Sequence, residues 1–119
     1  MKTRFSLFLL LVLPLKLANA ATYYVDASYG NDNWSGNQSS RMGSPASDGP
    51  WQSLAKVSAK LLMPGDNVLL KCGGIWHETL KLQSSGTATS PITIGAYPNA
   101  CTNKPIISGS TPIPSHNWI

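Results

Sequence analysis

Charged residues are scarce in this chain, and their scarcity narrows the classes of function it can have. They make up 12% of the 119 residues, against about 25% in an average domain. Three of the nine basic residues, Lys2, Arg4 and Lys16, fall in the first twenty positions. The other six basic residues face five acidic ones, so the rest of the chain has a net charge of about +1. A nucleic-acid surface, which needs a basic stripe, is therefore not expected.

Cysteine is also scarce, since the chain has Cys72 and Cys101 and no other. Two cysteines without a further Cys or a nearby His do not make a zinc site. In an exported chain an even number of cysteines favours a disulfide. For a loop of this length, that bond would stabilise the fold by roughly 3 to 4 kcal/mol. Two reduced, buried thiols are the alternative.

The longest apolar run, Phe5 to Leu15, has the features of an export signal. Two basic residues precede it, and Ala18-Asn19-Ala20 has the small-x-small pattern that predicts cleavage between Ala20 and Ala21. The run is too short to span a bilayer comfortably and is followed by Lys16. An uncleaved anchor is the alternative. We expect a secreted or periplasmic protein with no membrane span once the signal is removed.

The remaining 99 residues are enough for one small domain. The stretch "ATYYV" at 21–25 predicts a strand, because aromatic and β-branched residues favour extended backbone. A polar loop rich in turn-forming residues follows over 26–50. Trp51 to Met63 predicts an amphipathic helix, with Ser53 as its N-cap and Pro64-Gly65 as its stop.

From Asn67 onward, apolar residues alternate with their neighbours, which predicts a series of short strands. No second helix separates these strands, so a doubly wound α/β fold is not expected. Periodicity leaves two arrangements open: a small antiparallel sandwich closed by hairpins, or a solenoid in which each strand stacks on the next coil. The alternating residues include Val68, Leu70, Cys72, Leu80, Leu82, Ile92, Ile94 and Ala96, and a last short run is "PIISG" at 105–109.

Four stretches, taken together and in order, resemble a known family. They are "YYVDASYGNDNWSG", "GPWQSLAKVSAKLLMPGDNVLLKCG", "SSGTATSPITIGAYPN" and "KPIISGS". They are similar to the N-terminal region of secreted right-handed parallel β-helix proteins of the pectate-lyase-like group (the pectin lyase fold). The resemblance implies an all-β solenoid, of which this chain holds an N-terminal capping helix and the first coils, left incomplete.

The resemblance also implies a role for each part of the chain. It places a signal peptide at 1–20, a strand and polar loop at 21–50, a capping helix and turn at 51–66, and the first coils at 67–119. The helix would cover the open end of the solenoid. The alternating apolar residues would stack inside it, and Cys72 and Cys101 would join neighbouring coils. Because a stable solenoid needs at least three repeats, we expect an N-terminal fragment of a longer protein.

The resemblance implies that the complete protein degrades a polysaccharide, as a lyase in preference to a hydrolase, with calcium as a cofactor outside this chain. None of the five acidic residues here maps onto the family's catalytic positions, which lie on later coils. No catalytic, cofactor-binding or metal-binding residue is therefore assigned, and this fragment alone is not expected to be an enzyme. Two alternatives stay open: a non-catalytic surface or adhesive protein that binds glycans, and a complete disulfide-linked module.

Three polar features are candidate sites. His77-Glu78 is an adjacent acid–base pair, but neighbours on a strand point to opposite faces, so we expect ordinary surface residues. Residues 31–36 partly match a calcium loop, yet Met42 stands where the closing Glu belongs. Asx-turns explain the same residues without a metal. Asn33 and Asn37 begin N-glycosylation sequons in an exposed loop.

Tryptophan supplies the remaining candidate, because an indole ring can stack on a sugar ring. Trp51 and Trp76 flank apolar segments and are predicted to be core residues. Trp34 lies in the polar loop instead. We therefore predict Trp34 to be a sugar contact.

Overall fold

The structure is a computed structural model, and it describes residues 20–110. The strands in these residues form three small sheets: a parallel sheet in the order β1–β4–β6, an antiparallel pair β2–β3 and a parallel pair β5–β7. The elements are β1 (Thr22–Val25), β2 (Met42–Gly43), β3 (Ala46–Asp48), α1 (Leu54–Ala59), β4 (Asn67–Lys71), β5 (Ile75–Trp76), β6 (Thr93–Tyr97) and β7 (Ile106–Ile107).

Strand β4 is the centre of the fold, because it pairs with β1 on one side and β6 on the other. Its side chains alternate between faces, as the period of a strand requires. Val68 and Leu70 are buried, whereas Asn67, Leu69 and Lys71 are half-buried. Of the predicted strands, the first, at 21–25, is confirmed as Thr22–Val25, and the one that begins at Asn67 is confirmed as Asn67–Lys71. The buried cluster around β4 contains Val25, Trp51, Leu54, Val57, Leu62, Val68, Leu70 and Trp76.

Helix α1 packs its apolar side into this cluster. Leu54 and Val57 are its buried residues. The hydroxyl of Ser53 accepts a hydrogen bond from the Lys56 amide at 3.1 Å, which is the N-cap geometry that satisfies a free N–H of the first turn. The prediction that Ser53 caps the helix is confirmed.

The predicted capping helix over Trp51–Met63 is wrong in both its extent and its role. The helix has six residues, Leu54–Ala59, and the backbone at Lys60 is already extended. Trp51, predicted to be helical, forms an isolated parallel bridge with Val25 instead. Met63, near the predicted end, is exposed. A helix this short, with both of its buried residues inside the cluster, is a packing element of the core and does not cover the end of a solenoid.

The predicted right-handed β-helix is also wrong. The strands described in residues 20–110 form three separate small sheets, and one of these sheets is antiparallel. Leu80 and Leu82, predicted as ladder residues, lie outside every strand. Leu82 is 44% exposed and Ile94 is 37% exposed, so neither stacks in a closed interior. The residues therefore do not form the predicted coils.

Hydrogen bonds to the end of α1 explain why the segment around 81–84 is not a strand. The Lys81 amide donates to the Ser58 hydroxyl at 3.0 Å, and the Gln83 side chain donates to the Ser58 carbonyl at 2.6 Å. The Ser84 hydroxyl donates to the Leu62 carbonyl. The last carbonyls of a helix need such partners. Side-chain bonding here replaces the ladder that the alternating pattern predicts.

Candidate functional site

The polar loop at 26–50 is built around the indole of Trp51. The Trp51 ring stacks on Tyr23, with the centroids 4.7 Å apart and the planes 11° from parallel. Its Nε1 donates to the Trp34 carbonyl at 2.8 Å. Gly36 has φ +77, and a Cβ there would come within 2.5 Å of the Trp51 ring. Both the backbone angle and the close approach require glycine at this position.

Trp34, whose carbonyl accepts the hydrogen bond from Trp51, has a half-buried side chain. A Cβ on Gly49 would come within 2.6 Å of the Trp34 ring, so one edge of the indole rests against the main chain there. The exposed part of the ring faces a surface pocket of about 210 Å³, smaller than the roughly 300 to 1,000 Å³ of drug-sized sites. The lining residues are Trp34, Ser35, Trp51, Lys56, Ala59 and Lys60.

Two ammonium groups give the pocket its positive charge. Lys56 Nζ lies 5.8 Å from the Trp51 ring centroid, and Lys60 Nζ lies 5.6 Å from the Tyr23 ring centroid. Both distances are in the range of cation–π attraction. The pocket thus combines an aromatic wall with hydrogen-bond donors, the combination that recognises a polar ring with an apolar face.

Asp32 fixes the loop to the start of α1. Its carboxylate accepts hydrogen bonds from the Gln52 amide at 2.8 Å, the Ser53 amide at 2.9 Å and the Ser53 hydroxyl at 2.6 Å. Burial raises the pKa of Asp32, but the bonds from Ser53 and Gln52 and the nearby charge of Lys56 outweigh it, so the pKa lies below its usual value. Asp32 is therefore an ionised structural acceptor at neutral pH.

The other four carboxylates are used in the same way. Each of them accepts at least one hydrogen bond from a backbone N–H. The pairs are Asp26 with Ser28 and Tyr29, Asp48 with Ser35, Asp66 with Ala21 and Met63, and Glu78 with Leu54 and Ala55. The amide and then the hydroxyl of Ser35 also lower the pKa of Asp48.

These bonds decide what chemistry the described residues can perform. Glycoside hydrolysis needs two carboxyl groups on opposite sides of the bond to be cleaved, one of them protonated. All five acidic residues of the chain lie in the described part and accept hydrogen bonds from its own main chain, and for Asp32 and Asp48 these bonds hold the pKa below its usual value. The arrangement supports a structural and binding role. Sequence reasoning missed these bonds, and only the position of Asp66 in the "PGD" turn hinted at them.

The structure places His77 and Glu78 in separate surroundings. The Glu78 carboxylate binds the amides of Leu54 and Ala55 at the start of α1. His77 Nδ1 lies 3.1 Å from the Ser110 carbonyl oxygen. The two side chains do not act on one partner, although the reason differs from the predicted one, because neither residue belongs to a strand.

The segment at 31–36 folds by local hydrogen bonds. The Asn31 side chain accepts from the Asn33 amide at 2.9 Å, as an Asx-turn does, and Asp32 is committed to Gln52 and Ser53. Within residues 20–110, no three His, Cys, Asp or Glu side chains come together as a metal site.

Both predicted glycosylation positions are exposed. Asn33 carries no side-chain bond to another part of the loop among those described, whereas the Asn37 amide donates to the Thr22 carbonyl at 3.2 Å. A glycan on Asn37 would take one of the two Nδ2 hydrogens, and the sugar would have to fit around the bond that the other hydrogen makes to Thr22. If the chain is glycosylated, Asn33 is therefore the position that the fold leaves more accessible.

Cys72 and Cys101 form a disulfide, with their Cα atoms 6.5 Å apart. The predicted bond is confirmed. It closes a sequence separation of 29 residues and joins the end of β4 to the segment after β6. In the same place the Cys72 amide donates to the Tyr97 carbonyl at 2.8 Å.

A second pocket, of about 160 Å³, lies beside the disulfide and is lined in part by Asp26, Tyr29 and Lys71. Close to it, the hydroxyl of Tyr97 is buried without a hydrogen-bond partner in the described part of the chain. Burial, and then the charge of Asp26, raises the pKa of Tyr97. The phenol therefore stays protonated and neutral, and it offers no acid–base chemistry near neutral pH.

The predicted signal falls almost entirely outside the described residues. Ala20 and Ala21, on either side of the predicted cleavage point, are described, and Ala20 is exposed. Across residues 20–110, no helix is long and apolar enough to cross a membrane.

The chain is similar to lacto-N-biosidases. No protein-family model matches it. A lacto-N-biosidase of Bifidobacterium longum subsp. longum is 36% identical over 97 residues, which cover 78% of this chain and 6% of that protein. The chain thus spans a small part of this relative. It is homologous to a segment of a glycoside hydrolase.

Two solved structures give the same result. The native crystal structure of a GH136 lacto-N-biosidase from Eubacterium ramulus is 37% identical, with a TM-score of 0.53, and the match covers 65% of this chain and 11% of that one. Its selenomethionine derivative is 36% identical, with a TM-score of 0.55, covering 71% and 12%.

These similarities correct two predictions. The matched proteins are lacto-N-biosidases of family GH136, so the assignment to the pectate-lyase-like group is wrong. The preference for a lyase is wrong as well, because the relatives are glycoside hydrolases. The broader prediction, a relationship to glycan-degrading proteins, is confirmed.

Proposed function

We propose that this chain is a non-catalytic, glycan-contacting segment of an exported glycoside hydrolase of the lacto-N-biosidase kind. The observation that carries the proposal is the 36% identity to a lacto-N-biosidase across 78% of the chain. A glycan is then the substrate of the complete protein, and its catalytic carboxyl groups lie outside residues 20–110.

The hydrogen bonds of the acidic side chains support the non-catalytic part of the proposal. A catalytic acid must be free to exchange a proton with the glycosidic oxygen. Asp32 and Asp66 instead each bind two backbone amides, and Glu78 binds the first amides of α1. Freeing any of these carboxylates for catalysis would leave main-chain donors without a partner, at a cost of about 1 to 3 kcal/mol each.

The pocket at Trp34 supports the proposal that the chain contacts a glycan. The same pocket equally favours a second candidate function, that of a protein which binds glycans without cleaving them. A half-exposed indole beside Lys56 and Lys60 offers stacking for the ring and donors for its hydroxyl groups. The name of the relatives makes lacto-N-biose the sugar to test. Export is proposed from the signal-like residues 1–20 and is tested by finding the protein outside the cytoplasm.

Replacing Trp34 by Ala is expected to weaken lacto-N-biose binding by about tenfold, because one aromatic contact contributes about 0.5 to 1.5 kcal/mol. Saturation-transfer NMR and calorimetric titration of the exported protein measure the effect. Stability should change little, since Trp34 is only half-buried. The matched control is Tyr29→Ala, which removes an exposed aromatic residue that does not line this pocket.

Equal binding by the wild-type protein and the Trp34→Ala variant would refute the sugar contact. Hydrolysis distinguishes the two candidate functions. Antibodies against residues 21–110 should remove lacto-N-bioside hydrolysis from the source culture if the chain belongs to the hydrolase. They should leave it in place if the chain only binds glycans.

A further inference from the structure

The carboxylate of Asp66 is buried and holds the backbone just after the predicted signal. Asp66 is 3% exposed. Its Oδ1 accepts a hydrogen bond from the Ala21 nitrogen at 2.9 Å, and its Oδ2 accepts from the Met63 nitrogen at 2.8 Å. Both partners are neutral amides as long as Ala21 is joined to Ala20. A buried carboxylate of this kind lacks a full counter-charge.

The position of this carboxylate does not depend on Ala21. Asp66 belongs to the turn Pro64-Gly65-Asp66, in which the Asp66 amide donates to the Met63 carbonyl at 3.0 Å. Gly65 has φ +89, a backbone angle that favours glycine. The bond from Met63 to Oδ2 fixes the side chain. The turn therefore presents Oδ1 whether or not a residue precedes Ala21.

Ala21 in turn is held at its carbonyl as well as its nitrogen. The Asn67 amide donates to the Ala21 carbonyl at 2.9 Å, and the next residue, Thr22, pairs with Asn67 as the first position of β1. Ala20, one residue earlier, is exposed. Among the described residues, the backbone bonds that hold the start of β1 therefore begin at Ala21, and the bond between Ala20 and Ala21 lies just before them.

We propose that the Ala20–Ala21 bond is a processing site and that Asp66 is the receptor for the amino terminus released there. Hydrolysis by a signal peptidase adds one water across the amide. The C–N bond breaks, the Ala20 carbonyl carbon gains the oxygen of the water, and Ala20 leaves with the signal as a carboxylate. The Ala21 nitrogen takes up the protons and becomes an ammonium group, with no redox change.

The new group suits the receptor better than the amide that it replaces. An ammonium group carries a full positive charge and three donors, so it adds the attraction of opposite charges to a hydrogen bond that the carboxylate already accepts from the amide. Because Asp66 is buried, solvent and salt screen this pair only weakly. Processing therefore supplies the missing counter-charge and fastens the end of β1 to the turn. This role is independent of the proposed glycan function, because no glycan takes part in it.

The test compares the exported chain, which begins at Ala21 with a free amine, with the same chain acetylated at Ala21. Acetylation keeps an N–H but removes the charge. Intact-mass measurement should place the terminus of the exported protein at Ala21. Thermal unfolding at pH 7 should occur about 5 °C lower for the acetylated chain, the shift expected for a small domain that loses one such interaction.

An Asp66→Asn background serves as the specificity control. In that background acetylation should shift the melting temperature by less than about 1 °C, because the partner charge is gone. In an Asp48→Asn background, where the carboxylate bonds to Ser35, the full shift should remain. A terminus other than Ala21, or equal melting temperatures of the free and acetylated wild-type chains, would overturn the proposal even if Asp66→Asn does not fold. Glycan binding is not measured in this experiment, so its result stands apart from the proposed function.

Discussion

Replacing Trp51 by Ala is expected to lower the free energy of unfolding by about 4 kcal/mol, because a buried tryptophan leaves a large cavity when it is truncated. Trp51 is 3% exposed and belongs to the main buried cluster. It also bridges to Val25 and stacks on Tyr23. Equilibrium unfolding in urea measures the change.

The loop at 26–50 should lose its order in the same variant. Trp51 donates to the Trp34 carbonyl and packs against Gly36, and it also lines the Trp34 pocket. The loop and the pocket therefore both depend on the Trp51 ring. Trp51→Phe is the matched control. It keeps an aromatic ring but loses the hydrogen bond, and it should cost about 1 kcal/mol. A loss below 1 kcal/mol for Trp51→Ala would contradict the central place given to this residue.

Replacing both Cys72 and Cys101 by Ala is expected to lower the free energy of unfolding by about 3.5 kcal/mol, the chain-entropy value for a loop of this length. The bond spans a separation of 29 residues. Small domains have total stabilities of about 5 to 15 kcal/mol, so the loss is a large share of the total. Urea unfolding and amide hydrogen exchange measure it.

Exchange should rise most in the segment that the disulfide holds. The Gly73 amide donates to the Asn103 carbonyl and the Ile106 amide to the Gly74 carbonyl, so these bonds and the β5–β7 pair lie beside the bridge. Dithiothreitol should destabilise the wild-type protein and leave the double variant unchanged. Equal stability of the wild-type protein and the double variant would show that the bond does not constrain the chain.

The sequence predicts the local elements better than their assembly. Residues 22–25 and 67–71 form strands because aromatic and β-branched residues favour extended backbone, and Ser53 caps α1 through its hydroxyl. Trp51 and Trp76 are buried, as predicted. Alternation at Leu80 and Leu82 predicts a half-buried strand, but the pattern does not indicate which groups the backbone of this segment will bond to. There the hydroxyl and the carbonyl of Ser58 accept the hydrogen bonds of Lys81 and Gln83.

The candidate site was predictable only in part. The sequence indicates Trp34 as a candidate sugar contact because this indole lies in a polar loop, away from the apolar segments that form the core. The uses of Asp32 and Glu78 depend on partners 20 or more residues away, and no local pattern contains that information. The lysines beside the pocket, Lys56 and Lys60, are ordinary polar positions of an amphipathic helix until the loop folds against them.

Whether this chain belongs to a protein that cleaves a glycan can be measured directly in the source culture. Antibodies raised against residues 21–110 are added to the combined cells and medium of the source culture, and hydrolysis of a chromogenic lacto-N-bioside is followed after their removal. If the chain belongs to a glycan-cleaving protein, the activity should disappear with the chain, non-immune antibodies should leave it in place, and excess purified chain should protect it. Blotting verifies that the chain has been removed. If full activity then remains, the proposed function is wrong.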